Sequence, residues 1–339
     1  MLVAERSGRS DSLLNYIVKR TLLMIPTLIF ISILSFFLIQ LPPGDYLTNY
    51  IANKEASGGS VNLAEVEALR QRYGLDRPFH TQYVRWITGV LKGDFGYSFE
   101  WNRPVNELIW ERLGLTVSVS TLTLLFTWIV AFPIGVYSAT HQYSIGDYVF
   151  TTVGFMGLAI PNFMLALILM WLGHRYFGLS VGGLFSPEYA EAPWSLAKLL
   201  DLAKHALIPM IVIGTSGTAS LIRTLRANLL DEIQKPYVTT AKSKGLKDTW
   251  ILFKYPVRVA LIPFISTVGW TLPQLISGET IVAVVLNLPT TGPLLLRSLQ
   301  SQDMYLAGSF ILMLSVLTLV GTFISDILLA WVDPRIRYS

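Results

Sequence analysis

The sequence predicts an all-α polytopic membrane protein: six transmembrane helices, a small extracytoplasmic cap between the first and second, and a basic helical segment on the cytoplasmic side. Three observations predict it. Of the 339 residues, 52% are hydrophobic and only 14% are charged, with a mean hydropathy of +0.51; a soluble domain is about 25% charged. Apolar runs recur along the chain, and a hydrocarbon core of about 30 Å is crossed by about 20 apolar residues of helix. Lys and Arg gather in three stretches that an even number of spans puts on one side of the membrane.

The N-terminal arm and first span occupy residues 1–41. The apolar run at 21–41, TLLMIPTLIFISILSFFLIQL, follows Lys19 and Arg20, as a signal peptide would. It is longer than a typical signal core and lacks an A-x-A-like end, so it reads as an uncleaved anchor. Residues 42–113 are too long for a simple connection. Asn62-Leu-Ala-Glu65 resembles a capping box. Leu63, Val66, Leu69 and Tyr73 then share a helix face, and Gly74 supplies a stop. An aromatic, Gly- and Pro-rich stretch follows. The region reads as a folded extracytoplasmic cap, either a passive lid or a docking or gating surface.

Residues 114–332 form a five-helix core with apolar runs at 114–139, 149–177, 206–222, 258–286 and 305–332. The run 206–222, ALIPMIVIGTSGTASLI, is rich in Gly, Ser and Thr. Small residues of that kind let helices approach closely, so this span belongs inside the packing. A short outer helix over 195–203, capped by Ser195, is expected to lie in the membrane interface beside Trp194. A loop at 223–257 and a tail at 333–339 complete the chain.

Orientation follows from the basic residues. Arg6, Arg9, Lys19 and Arg20 precede the first span, and Arg335 and Arg337 follow the last. Between runs four and five lie Arg223, Arg226, Lys235, Lys242, Lys244, Lys247, Lys254 and Arg258. Both termini and this loop are therefore expected in the cytoplasm, with the chain multi-pass in the bacterial inner membrane.

No chemistry of its own is legible in the chain. Without cysteine there is no disulfide, thiolate metal site or cysteine nucleophile. His80, His141, His174 and His205 do not fall at metal-binding spacing. There is no phosphate-binding G-x-x-x-x-G-K-[ST], no G-x-G-x-x-G after a strand and no G-x-S-x-G elbow. The expectation is a non-enzyme with no catalytic residue, no metal and no bound cofactor. Among intramembrane carboxylates, Asp326 reads as structural. Glu279 reads either as a pathway residue facing a polar cavity or as a structural carboxylate, because burying it costs about 2.5–3.5 kcal/mol.

The stretch YVTTAKSKGLKDTW at 237–250 is polar and basic between apolar runs. Tyr237, Thr240, Ala241 and Lys244 share a helix face, and Ala241 and Gly245 are small and one turn apart. By its residues alone it either lies on anionic headgroups or docks into a cleft on a partner. The longer stretch KPYVTTAKSKGLKDTWILFKYPVRVALIPFI resembles the cytoplasmic loop of ABC importer permeases. It is most similar to the dipeptide/oligopeptide/nickel, binding-protein-dependent family, through Tyr237, Val238, Thr240, Ala241, Lys244, Gly245, Leu246, Leu261 and Pro263. LPPGDY, YGLDRPFHTQYVRWITGVLKGDFGYSF, GLAIPNF, SLIRTLRANLL and DPRIRY match in order, so the resemblance covers nearly the whole chain.

The resemblance implies that Tyr237, Val238, Thr240, Ala241, Lys244, Gly245 and Leu246 form a coupling helix seated on a separate ATPase subunit. It implies a second homologous permease subunit, two ATP-binding cassette subunits that carry ATP and magnesium, and an extracytoplasmic substrate-binding protein. Transport would proceed by alternating access driven by the partners' ATP hydrolysis, with peptides or oligosaccharides as cargo. The alternative is a self-sufficient secondary transporter or channel. Where the family usually has a Glu ahead of a P-G-x-G turn this chain has Ala283, the turn reads Pro289-Thr-Thr-Gly292, and Glu279 lies one turn earlier.

Overall fold

The computed structural model describes residues 2–41, 46–56, 63–74, 76–178, 182–262, 264 and 280–332. Regular structure among them is helical, with one isolated antiparallel bridge between Tyr97 and Pro104. The helices are α1 Leu2–Gln40, α2 Tyr46–Ala56, α3 Leu63–Tyr73, α4 Phe79–Val90, α5 Val105–Thr140, α6 Ile145–Ala159 and α7 Asn162–Phe177. They continue as α8 Leu196–Ile233, α9 Pro236–Ser243, α10 Asp248–Lys254 and α11 Pro256–Ala260. Beyond residue 279 come α12 Thr280–Val285, α13 Thr291–Gln300 and α14 Met304–Val332. The all-α, polytopic class expected from composition is the observed one.

Among the described residues, Val18–Gln40, Val105–Thr140 and Met304–Ile327 are long and apolar enough to cross a membrane. The run 149–177, expected as one span, is two helices meeting at a 105° bend. The cause is Pro161. It lacks an N–H to continue the helix, and its ring pushes the preceding residue out of the helical region; Ile160 accordingly sits at φ −85°, ψ 122°. A second difference concerns the outer helix at 195–203. It is not a separate interfacial element but the first turns of α8, which runs on through Pro209 into the 206–222 run. Most of the 258–286 run, including Glu279 and Pro263, lies outside the described residues.

The chain divides into two compact units. One comprises residues 14–115 and 290–319. Here the end of α1, helix α4 and the start of α14 enclose Phe36, Ile39, Trp86, Phe99, Met304 and Ala307. Phe36 stacks on Trp86 at 5.3 Å, and Trp86 Nε1 donates to Ser309 Oγ at 3.2 Å. Gly74 ends α3 at φ +69°, the left-handed stop expected of it. Asp303 is buried before α14. It accepts from Ser98 Oγ at 2.6 Å, from the Glu100 amide at 3.2 Å and from the Leu306 amide at 3.3 Å. Burial pushes its carboxyl above the usual range despite those donors.

The other unit comprises 1–13, 116–289 and 320–339. Helix α8 is its packing centre. Along its length Val212, Ile213, Leu221, Leu225 and Leu229 are buried. The close approach expected of its small residues is present. A Cβ at Gly214 would lie 2.8 Å from Phe126 of α5, and one at Gly157 of α6 would lie 2.5 Å from Thr215 Cγ2. Gly157→Val should therefore push α6 off α8 and cost about 1–3 kcal/mol. The readout is the apparent melting temperature of the purified chain in detergent, and an unchanged value would contradict this contact.

At the N-terminal start of α8, Ser195 caps the helix by accepting from the Lys198 amide at 3.2 Å. Buried Asp201 holds the preceding loop: the Ser186 amide and hydroxyl both donate to it at 2.7 Å. Burial raises the Asp201 carboxyl, but these donors and the nearby His205 and Lys204 outweigh it, and the group stays below the usual range.

Candidate functional site

The segment between α8 and α12 is built to hold a short helical hairpin on the end of a long helix. Pro236 stands at the first position of α9, where its missing N–H costs nothing. The helix ends at Lys244, and Gly245 follows at φ +74° with its amide donating to Lys242 O at 2.9 Å. That left-handed geometry favours glycine. The chain then turns into α10. Lys242 pairs with Asp248 across the turn at 3.3 Å.

The residues expected to form the coupling surface separate into two groups. Val238 and Ala241 are buried, and with Ile251 of α10 and Tyr255 they form the hairpin's own small core. The small size of Ala241 therefore lets α9 and α10 meet, rather than opening a patch for another molecule. Tyr237, Thr240, Lys244, Gly245 and Leu246 are exposed. A Cβ at Gly245 would meet nothing within 4 Å.

Trp250 and Phe253 add to the exposed apolar residues of the same hairpin, at 44% and 55% exposure. Exposed apolar residues grouped on one segment are a feature of contact surfaces. Lys254 Nζ stands 4.0 Å over the Trp250 ring, and Trp250 meets Tyr255 edge-on at 5.8 Å, so the aromatics are held in place. Tyr237 donates its hydroxyl to Glu232 at 2.6 Å, and partial burial with that carboxylate pushes the phenol well above its ordinary range.

The hairpin is flanked in the chain by α8 and α11, which pack together within the same unit. Leu225 and Leu229 of α8, Val257 and Ala260 of α11, and Ala131 and Val136 of α5 form one buried cluster. A Cβ at Gly135 would lie 2.9 Å from Leu225, so α5 and α8 touch closely at this level.

A polar clamp reinforces the apolar one. Arg226 donates to Asp147 through Nε at 3.0 Å and through Nη2 at 2.8 Å. Asp147 is 3% exposed and also accepts from the Tyr143 amide at 3.0 Å. Sequence reasoning counted Arg226 only as one of many positive charges and missed this pair. One local signal was there: Ser144 and Asp147 have the spacing of a helix start, and Ser144 Oγ does accept from the Asp147 amide at 3.2 Å.

Glu279, read either as a pathway residue or as a structural carboxylate, lies outside the described residues. Asp326 is half-buried on α14. Among the described residues no three His, Asp or Glu side chains gather to hold a metal ion. Two cavities with polar walls are present. One of about 450 Å³ is bordered by Arg85, Trp86, Asp94, Tyr97 and Tyr305. Another of about 260 Å³ is bordered by Ser186, Asp201, Lys204, His205 and Pro209.

Comparison with known proteins gives a consistent picture. Residues 131–338 match the family described as "Binding-protein-dependent transport system inner membrane component", and residues 13–120 match its N-terminal companion. The chain is 36% identical over 325 residues to the oligopeptide transport system permease protein AppB of Bacillus subtilis, covering 95% of this chain and 99% of that one. It is 32% identical over 327 residues to the glutathione transport system permease protein GsiC of Salmonella paratyphi A, covering 96% and 100%. A solved structure of the MetNI methionine ABC transporter in inward-facing form shares the fold. Its TM-score is 0.52 at 14% identity, over 67% of this chain and 96% of that chain.

Proposed function

The chain belongs to the family of binding-protein-dependent transport system inner membrane components and is a permease subunit of an ABC importer; from that premise we propose that it moves peptides, and that the hairpin 236–254 is where a separate ATPase subunit drives it. The peptide reading rests on the relatives, which are named for oligopeptide and glutathione transport. Those names do not support the oligosaccharide cargo that the sequence left open. The coupling reading rests on one observation above others: Tyr237, Leu246, Trp250 and Phe253 are exposed, and Gly245 is open, on a hairpin whose interior is already satisfied.

In this reading the ATPase grips the exposed aromatic and leucine side chains, while the lysines set approach and register. Closure of two ATPase subunits on ATP moves the hairpin as a body, because Val238, Ala241 and Ile251 lock its two helices together. The motion passes through α11 and the end of α8 to the spans and alternates access between the two membrane faces. A second permease completes the pathway, a binding protein delivers cargo from outside, and ATP and magnesium reside on the partners. Both termini lie in the cytoplasm.

Gentle purification from the native membrane, with mass spectrometry of what accompanies the chain, tests this. ATPase subunits and a second permease should appear in fixed proportion. A chain recovered alone, or one that accumulates substrate alone in vesicles under an ion gradient, would sink the proposal.

A further inference from the structure

A cavity of about 310 Å³ lies between α6 and the C-terminal half of α8 and has no part in the coupling reading. Its wall is apolar along most of its length, with Phe150, Phe155, Leu158 and Ile222 among its lining. Gly154 faces Ala219: an added Cβ would make ordinary contact with Ala219 Cβ at 3.6 Å, so only a larger side chain there would fill the trough. At one end stand Arg223 and Arg226.

The two arginines are in different electrical situations. Arg226 is neutralised by Asp147, which also borders the cavity. Arg223 is exposed and makes no ion pair among the described residues. The cavity therefore combines a greasy trough with one net positive charge at its mouth.

We propose that this cavity binds one anionic phospholipid of the inner leaflet, with the phosphate at Arg223 and an acyl chain lying between Phe155, Leu158 and Ile222. The assignment rests on the coupling reading proposed above, in which the loop after α8 is cytoplasmic and Arg223 would stand near headgroup depth. Basic pockets between helices on that side are suited to anionic headgroups. A guanidinium can take a phosphate through two parallel hydrogen bonds. Exposed Tyr148 and Phe155 on the adjoining face of α6 are aromatics of the kind that sit at a membrane boundary. The apolar wall requires cover in any case, and the unmatched charge selects a lipid over an apolar helix. The bound lipid would bridge α6 and α8 just beneath the hairpin.

The test uses the complete complex in detergent, incubated with phosphatidylglycerol or phosphatidylcholine vesicles and read by native mass spectrometry. Phosphatidylglycerol should be retained in preference to phosphatidylcholine. Arg223→Gln should lower that preference about fivefold, the worth of one basic residue beside an anionic headgroup. Gly154→Leu should reduce retention of both lipids with the charge unchanged, by filling the trough. Equal phosphatidylglycerol retention in the parent and both variants would overturn the proposal. So would efficient cross-linking of Thr151→Cys to the second permease, because the trough would then be covered by protein.

Discussion

Gly245→Glu is expected to abolish ATP-driven uptake while the chain still inserts into the membrane and is recovered at normal levels. The glycine sits at φ +74°, so a glutamate there carries a strain of roughly 1–2 kcal/mol. That cost falls on an exposed turn and does not unfold the spans. The decisive effect is spatial. Nothing lies within 4 Å of the added Cβ, so the glutamate projects outward into the space an ATPase would occupy. Gly245→Asn, which tolerates left-handed geometry but is smaller and uncharged, should retain most transport. The measurement is uptake and cargo-stimulated ATP hydrolysis in proteoliposomes carrying the full complex. Normal uptake by the glutamate variant would remove the coupling assignment.

The second large effect is expected at Asp147. Replacing it with Asn leaves Arg226 facing a neutral amide in a half-buried position. Removing one partner of a buried pair costs about 3–5 kcal/mol. The Arg226 side chain is 27% exposed, so water recovers part of this and about 3 kcal/mol is expected. The apparent melting temperature in detergent should fall by several degrees. Arg226→Lys should be intermediate, because a lysine keeps the charge and loses the fork. Asp147→Asn combined with Arg226→Gln should be less harmful than Asp147→Asn alone, since no charge is then left without its partner. If the double variant is as unstable as the sum of the two single ones, the pair carries no coupling.

The limits of the sequence reading have physical causes. The helix–glycine–helix at 236–254, the left-handed stop at Gly74, the Ser195 cap and the tight packing of 206–222 were all legible, because each depends on residues within one or two turns. The break at Pro161 was not, because hydropathy integrates over a window and is blind to a change of direction inside it. The union of 195–203 with the span after it was hidden by Lys198, Asp201, Lys204 and His205, whose polarity mimics a loop. In the structure those groups are absorbed locally: Lys198 Nζ donates to Ala192 O at 2.5 Å, and Asp201 takes the Ser186 donors. The Asp147–Arg226 pair joins residues far apart in the chain, which periodicity cannot connect. Ala241 was correctly singled out as small, but a small residue permits close approach on either side, and pattern alone does not say whether the neighbour is the same chain or another.

The continuity of α8 has a mechanical consequence. Thirty-eight residues of unbroken helix rise about 57 Å, from the Ser186-bound N-terminal turns to the root of the hairpin. A rod of that length works as a lever. A tilt of about 5° about one end displaces the other by about 5 Å, close to one helical turn. Pro209 removes one hydrogen bond nearer the N-terminal end, which makes it the compliant point of an otherwise stiff arm. A push at the hairpin would then reach the N-terminal end of α8 as a smaller swing, roughly half as large, because about 36 Å of helix lies on the hairpin side of Pro209 and about 20 Å on the other.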